Sequence, residues 1–319
     1  MSDSSKTSIK EKGKKPAGHS HPSAEDVLQS HNYNKEHVKE FCGRLTTIPP
    51  PRSRQQEEKS TVQDLILSLT RHDEIQKWLQ DPASRVLVLS GGSDPNQLAG
   101  WRAFEGEIPP VSGVSFVSAK LVQSLLEQAT SSSSRDTSTS NNETVIPLAC
   151  FCTLQRRRWH GTLTPKFLAM DLLLQLVDQY RDFDSEKMHA CIYNTATLTD
   201  VCARFTELVL SMRPCTNNTT LFIVIDGCHE LLSDEGRHLF LHDEWRVLFA
   251  HFERLLLLLH SSSNLEKKDE ERRPMVTVKL LFAGPNATAF RLFTSVENVV
   301  VTLDERALRE IECAWGKRV

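Results

Sequence analysis

The chain has 319 residues, 39% of them hydrophobic, with 38 basic against 41 acidic side chains. That length and apolar share suffice for one large or two modest domains with a buried core, and the charge balance gives no bulk pull toward nucleic acid or an anionic membrane. No stretch nears the ~18 consecutive apolar residues of a spanning helix, and the polar N-terminus carries no apolar signal core. The expectation is a soluble, cytoplasmic protein with protein partners, not nucleic-acid or membrane ones. Its eight cysteines lack paired CxxC spacing, which supports neither a disulfide frame nor a zinc site. Cys150-Phe-Cys152 puts two thiols on one face of a predicted strand, where core packing accounts for them.

Residues 1–25 are mostly Ser, Lys, Gly, Pro and His and are predicted to be a disordered tail. Residues 26–80 read as a helical N-terminal region. Val27, Leu28, Val38, Phe41 and Leu45 give one amphipathic segment from Ala24 to Leu45. A linker opens at Pro49-Pro50-Pro51, and a second helix follows from Thr61 to Leu79, with Val62, Leu65, Ile66, Leu69 and Ile75 on its stripe. Asp81-Pro82 ends it.

Residues 81–319 alternate strands and helices, which predicts an α/β fold, a doubly wound parallel sheet with helices on both faces. Arg85 to Ser90 is the first buried strand, and Gly91-Gly92 follows it. A helix is predicted from Phe116 to Gln128. The Ser/Thr/Asn-rich residues 131–144 form a low-complexity loop. Val145 to Thr153 is the next strand, and Arg156-Arg157-Arg158-Trp159-His160 reads as a solvated loop beyond it. Thr164-Pro165 opens a leucine-rich helix that is apolar nearly all round. Thr197 to Met212 is a further amphipathic helix. After His242-Asp-Glu-Trp245 comes a helix ending at Leu259, then a charged loop from Ser261 to Arg273, a strand from Val276 to Ala283 and a short strand from Val296 to Leu303.

The chain is organised around Thr219-Thr-Leu-Phe-Ile-Val-Ile-Asp226-Gly-Cys-His-Glu230. An unbroken apolar run is how a strand buried on both faces reads, so Asp226 falls at the carboxyl end of a central strand, the edge where open α/β sheets bind ligands. An apolar run ending in Asp is also how P-loop NTPases hold Mg²⁺, and Glu230 stands where hydrolytic members keep a water-orienting carboxylate. A plain core strand running into an acidic turn has the same pattern.

A phosphate-cradling loop needs glycines, a lysine and a Ser/Thr between the first strand and its helix. Counted from Gly91, those last three positions hold Asn96, Gln97 and Leu98. In the second register, which runs straight into the helix, Gly113-Val114-Ser115 imitates Gly-Lys-Ser with valine for lysine, and Gly91 to Glu107 becomes an insertion. Either way the lysine is missing.

From Glu74 to Leu303 the order and spacing of these motifs resemble the NACHT-type STAND P-loop NTPases abundant in fungi, the nephrocystin-3-like N-terminal domain. The similar segments are Glu74-Ile-Gln-Lys-Trp-Leu before Arg85, Leu148-Ala-Cys-Phe-Cys before the Leu-rich helix, Phe222-Ile-Val-Ile-Asp226-Gly-Cys-His-Glu230, and Val278-Lys-Leu-Leu-Phe-Ala-Gly-Pro285. The resemblance implies that Gly113, Val114, Ser115 and Asp226 are a vestigial nucleotide site, that Asp226 binds metal only with Mg-nucleotide, and that Glu230 is catalytic only if the chain is active. The departures weaken each role. His229 replaces the first acid of an Asp-Glu pair, and Ala283-Gly284-Pro285 replaces Ser-Arg-Pro, whose arginine senses the γ-phosphate. A cation facing phosphate contributes about 1.5–3 kcal/mol, so losing two weakens MgATP binding by orders of magnitude. The expectation is a pseudo-NTPase scaffold with no cofactor. The alternatives are a divergent NTPase binding Mg-ATP, with Lys120 or Arg102 supplying the cation, and a non-functional fragment of a larger STAND protein.

Overall fold

In the computed structural model the described residues are 22–47, 72–91, 113–133, 144–152, 154–155, 163–180, 182–212, 219–227, 239–265, 276–284 and 298–302. They hold five strands, β1 (Arg85–Ser90), β2 (Thr144–Phe151), β3 (Thr219–Asp226), β4 (Val276–Gly284) and β5 (Asn298–Thr302), in one sheet of order β2-β3-β4-β1-β5. Every pairing is parallel. The predicted doubly wound parallel sheet is the fold.

Alternate strand residues supply two cores, one on each face of the sheet. Val86 and Val88, Ile146 and Leu148, Ile223 and Ile225, and Leu280 and Phe282 enter one cluster. Leu87 and Leu89, Val145 and Ala149, Phe222 and Val224, and Leu281 and Ala283 enter the other. The helix α4 (Gly113–Ser133) packs on the second face, with α2 (His37–Thr46) and α3 (Asp73–Gln80). On the first face lie α1 (Ala24–Ser30), α5 (Pro165–Gln179), α6 (Ser185–Tyr193), α7 (Leu198–Ser211) and α8 (Leu239–Leu265).

Strand order explains this division. The step from β1 to β2 crosses the sheet in one direction, and the steps onward to β5 run in the other. Right-handed crossovers then require opposite faces.

Local chemistry fixes the helix ends. The Thr164 hydroxyl accepts the Phe167 N–H at 3.2 Å with Pro165 in the first turn. Thr197 and Asp200 form a reciprocal capping box, and Ser23 and Asp26 form another at α1.

Several boundaries differ from the sequence reading. The amphipathic segment from Ala24 to Leu45 is two helices, because Asn32 takes a left-handed φ of 50°, a conformation that asparagine tolerates better than most residues. With α1 on one face and α2 on the other, the chain passes around the β2 side of the sheet. Helix α4 starts three residues before Phe116 and runs through Ser131–Ser133, and Thr144 belongs to β2, so the two ends of the span predicted as a loop over 131–144 are helix and strand. Helix α8 extends to Leu265, into the span read as a charged loop from Ser261. The sequence reading missed α6. Most of the predicted tail, the stripe from Val62 to Leu69, and the segment Arg156 to His160 lie outside the described residues. Among the described residues no helix is long and apolar enough to cross a membrane.

Candidate functional site at the carboxyl edge

All five strands point the same way, so their carboxyl ends line one edge. The helices that follow β1 and β3, α4 and α8, lie on opposite faces, the arrangement in which open α/β sheets bind ligands at their carboxyl edge. Asp226 is the last residue of β3, 2% exposed, with Phe151 and Ala283 as its register partners on β2 and β4. Gly227 follows with φ of 76°, and its N–H donates to the Ala283 carbonyl at 3.0 Å. A residue with a Cβ resists that conformation, so glycine lets the chain turn sharply after the buried acid. On β1 the Gly91 N–H donates to the Gly284 carbonyl at 3.0 Å, extending that ladder by one residue.

Helix α4 links two parallel strands and runs back along the sheet, so its N-terminus starts at the same edge. Gly113-Val114-Ser115 is its first turn. Gly113 is buried, Ser115 is half-buried and Val114 is 2% exposed, packed within the cluster that contains Leu89 and Ala283. The buried Ser118 hydroxyl donates to the Val114 carbonyl at 3.0 Å. The valine side chain fills apolar space in that core.

The remaining sequence candidates divide in two. Glu230, Arg102 and the alternative loop positions Asn96, Gln97 and Leu98 lie outside the described residues. Lys120 is described and lies far down α4, seven residues or about 10 Å from its start. Its Nζ donates to Gln123 Oε1 at 3.4 Å and sits 5.9 Å from the Phe116 ring centroid. Among the described residues no cluster of three His, Cys, Asp or Glu side chains could hold a metal ion.

Comparison with protein-family models, curated proteins and solved structures finds no match for this chain.

A second polar centre, absent from the sequence reading, lies beside the end of β2. Asp171 of α5, buried at 7% exposure, sits within a connected network. Its Oδ2 accepts from Gln155 Nε2 at 2.7 Å and from Gln175 Nε2 at 2.9 Å, while its Oδ1 lies 3.1 Å from His37 Nε2. Gln155 Oε1 accepts the Cys150 thiol at 2.8 Å, and the Cys150 and Cys152 sulfurs are 3.8 Å apart. His37, Gln155 and Gln175 thus share one carboxylate. The available sequence signal was three polar residues, Asp171, Gln175 and Gln179, at four-residue spacing on a largely apolar helix.

Burial sets the thiol chemistry elsewhere. It pushes Cys42, Cys191 and Cys202 each up to about 12, far from the thiolate range in which cysteine attacks electrophiles.

Proposed function

We propose that the chain is a NACHT-like pseudo-NTPase, a protein-interaction or signalling scaffold whose carboxyl-edge site has lost tight nucleotide binding. One observation carries the reading, the burial of Val114 in the first turn of the helix that follows β1. At the position from which a lysine would reach phosphate, this chain presents a packed valine, and Ser115 is left to offer only a hydroxyl. Asp226 stands at the end of β3, where a P-loop fold would hold Mg²⁺.

These residues fit MgATP poorly. The first turn of α4 brings no cation to the edge, and Lys120 is held farther down the helix by Gln123. Without charge at the phosphates, an acid at the metal position adds repulsion to a polyanion. The divergent-NTPase alternative therefore needs its cation from another part of the chain.

The test is calorimetric titration of the full chain with ADP and ATP, each with Mg²⁺, alongside Val114→Lys. No heat and no thermal shift at millimolar nucleotide is the expected outcome for the natural sequence. Micromolar binding by that sequence overturns the proposal and makes Asp226 and Glu230 the next residues to replace. Binding gained by Val114→Lys shows a pocket otherwise intact.

A further inference from the structure

The buried pair of His37 and Asp171 joins the start of α2 to the second turn of α5, 134 residues apart in the chain. The side chains are 7% and 8% exposed. The surroundings determine the protonation of the imidazole. Its Nδ1 faces the Asn34 carbonyl oxygen, an acceptor with no proton to give. Its Nε2 faces Asp171, at 3.1 Å from Oδ1 and 3.4 Å from Oδ2. Asp171 Oδ2 accepts N–H groups from both Gln155 and Gln175, and Oδ1 is the oxygen left nearest the ring. Each ring nitrogen therefore meets an acceptor, and only the doubly protonated ring can donate to both. A neutral ring leaves one lone pair pointing at an oxygen, in a setting too dry for water to compensate.

Among the described residues, the titratable groups nearby are neutral or engaged with other partners. The Tyr33 ring stands edge-on to His37 at 5.2 Å between centroids. Burial and the carboxylates of Asp171 and Asp178 raise its phenol far above the ordinary range, so it stays uncharged. Lys35 is occupied by Glu25 at 2.7 Å and by Asp178 at 3.7 Å. From α4, Lys120 is turned to Gln123, and from β2 the Cys150 thiol donates to Gln155. On α2 itself, Lys39 pairs with Glu36 at the surface.

We propose that His37 and Asp171 form a pH-sensitive clasp that docks the N-terminal helical pair α1–α2 on the sheet when His37 is protonated and releases it as the ring loses its proton. The docked form binds a proton that the released form does not. Docking is therefore at full strength below the ordinary histidine value of about 6.5, and it weakens by up to about tenfold per pH unit above it until the docked ring itself deprotonates. Release would uncover Val38, Phe41, Cys42 and Leu45, the apolar face α2 packs into the second core. The clasp works whether or not nucleotide binds at the carboxyl edge.

The experiment is hydrogen–deuterium exchange of the full chain at pH 6 and pH 8, corrected for intrinsic rates, with peptides from 24–46 read against peptides from 219–226. The expected result is at least a fivefold selective loss of protection in 24–46 at pH 8. His37→Gln, neutral at every pH, should give low protection of 24–46 at both pH values. In parallel, exchange of the histidine C2 proton in the natural sequence reads the ring directly and needs no variant. His37 should stay doubly protonated to higher pH in the folded chain than in the urea-unfolded chain. The clasp is overturned if 24–46 and 219–226 change in parallel, if His37→Gln keeps the natural pH dependence, or if the ring titrates alike folded and unfolded.

Discussion

Gln175 of α5 grips both backbone groups of Ala149 on the outer side of β2. Its Nε2 donates to the Ala149 carbonyl and its Oε1 accepts the Ala149 N–H, each at 2.8 Å. One helical turn on, Gln179 Nε2 donates to the Pro147 carbonyl at 2.7 Å. Four residues of helix rise about 6.0 Å and two residues of strand span about 6.6 Å, so the two ladders run nearly in step. Pro147 has no N–H to leave unpaired at this edge. An edge strand that could template another chain is thereby closed by side chains.

Removing that grip strands two buried backbone groups. Gln175→Leu keeps the side chain's bulk and loses both bonds to Ala149 as well as the one to Asp171, and each unsatisfied buried group costs about 1–3 kcal/mol. The expected loss is about 2–4 kcal/mol, read as a lower urea midpoint at unchanged slope. A loss under about 0.5 kcal/mol would mean that water replaces the glutamine and that the edge is already wet.

Gly227 should resist substitution. At φ of 76° a Cβ is strained, so Gly227→Ala is expected to cost about 1–2 kcal/mol, again by urea denaturation. An unchanged midpoint would show that the turn after Asp226 relaxes freely.

Stability should fall in acid through the helix starts. The Ser23 N–H holds the Asp26 carboxyl below the usual range, the Lys187 ammonium does so for Asp184, and the Thr197 hydroxyl does so for Asp200. A carboxylate that binds its proton less tightly when folded stabilises the fold above the unfolded value, 3.8 here. That contribution disappears as pH falls through the lower folded value. Melting temperatures between pH 5.5 and pH 3 should decline, less steeply in Asp184→Asn. Identical slopes in the variant would remove Asp184 from the account.

Thiol labelling offers a further check. Cys191 and Cys202, both raised by burial to about 12, should stay unmodified by iodoacetamide at pH 8 in the folded chain and label fully in urea, as peptide masses will report. Labelling of either within minutes without denaturant would show that its helix opens on that timescale.

The sequence by itself determined the core strands and several of the helix starts. A strand buried on both faces must be apolar without a break, so Arg85–Ser90 and Thr219–Asp226 announced themselves, and the placement of Asp226 at a strand end followed from where the run stops. Thr164 and Thr197 were legible because capping acts within three residues of chain. The start of α4 at Gly113 was less so, since a glycine and a valine carry little capping signal.

Tertiary structure alone decided what depends on reach across the chain. No local pattern relates His37 to Asp171, or Gln175 to the backbone of Ala149, because a side chain's partner is set by where a whole helix is laid against the sheet. The short helix α6 was missed for a related reason, since Met188 and Cys191 become core only once α1 and α7 pack beside it. Val114 shows both limits together. The sequence gives a valine where a lysine would serve phosphate, and only the fold shows that valine to be packed in the core at the edge of the sheet. Local propensity and burial are written residue by residue, but the order β2-β3-β4-β1-β5 comes from the crossovers that bring distant segments to one edge.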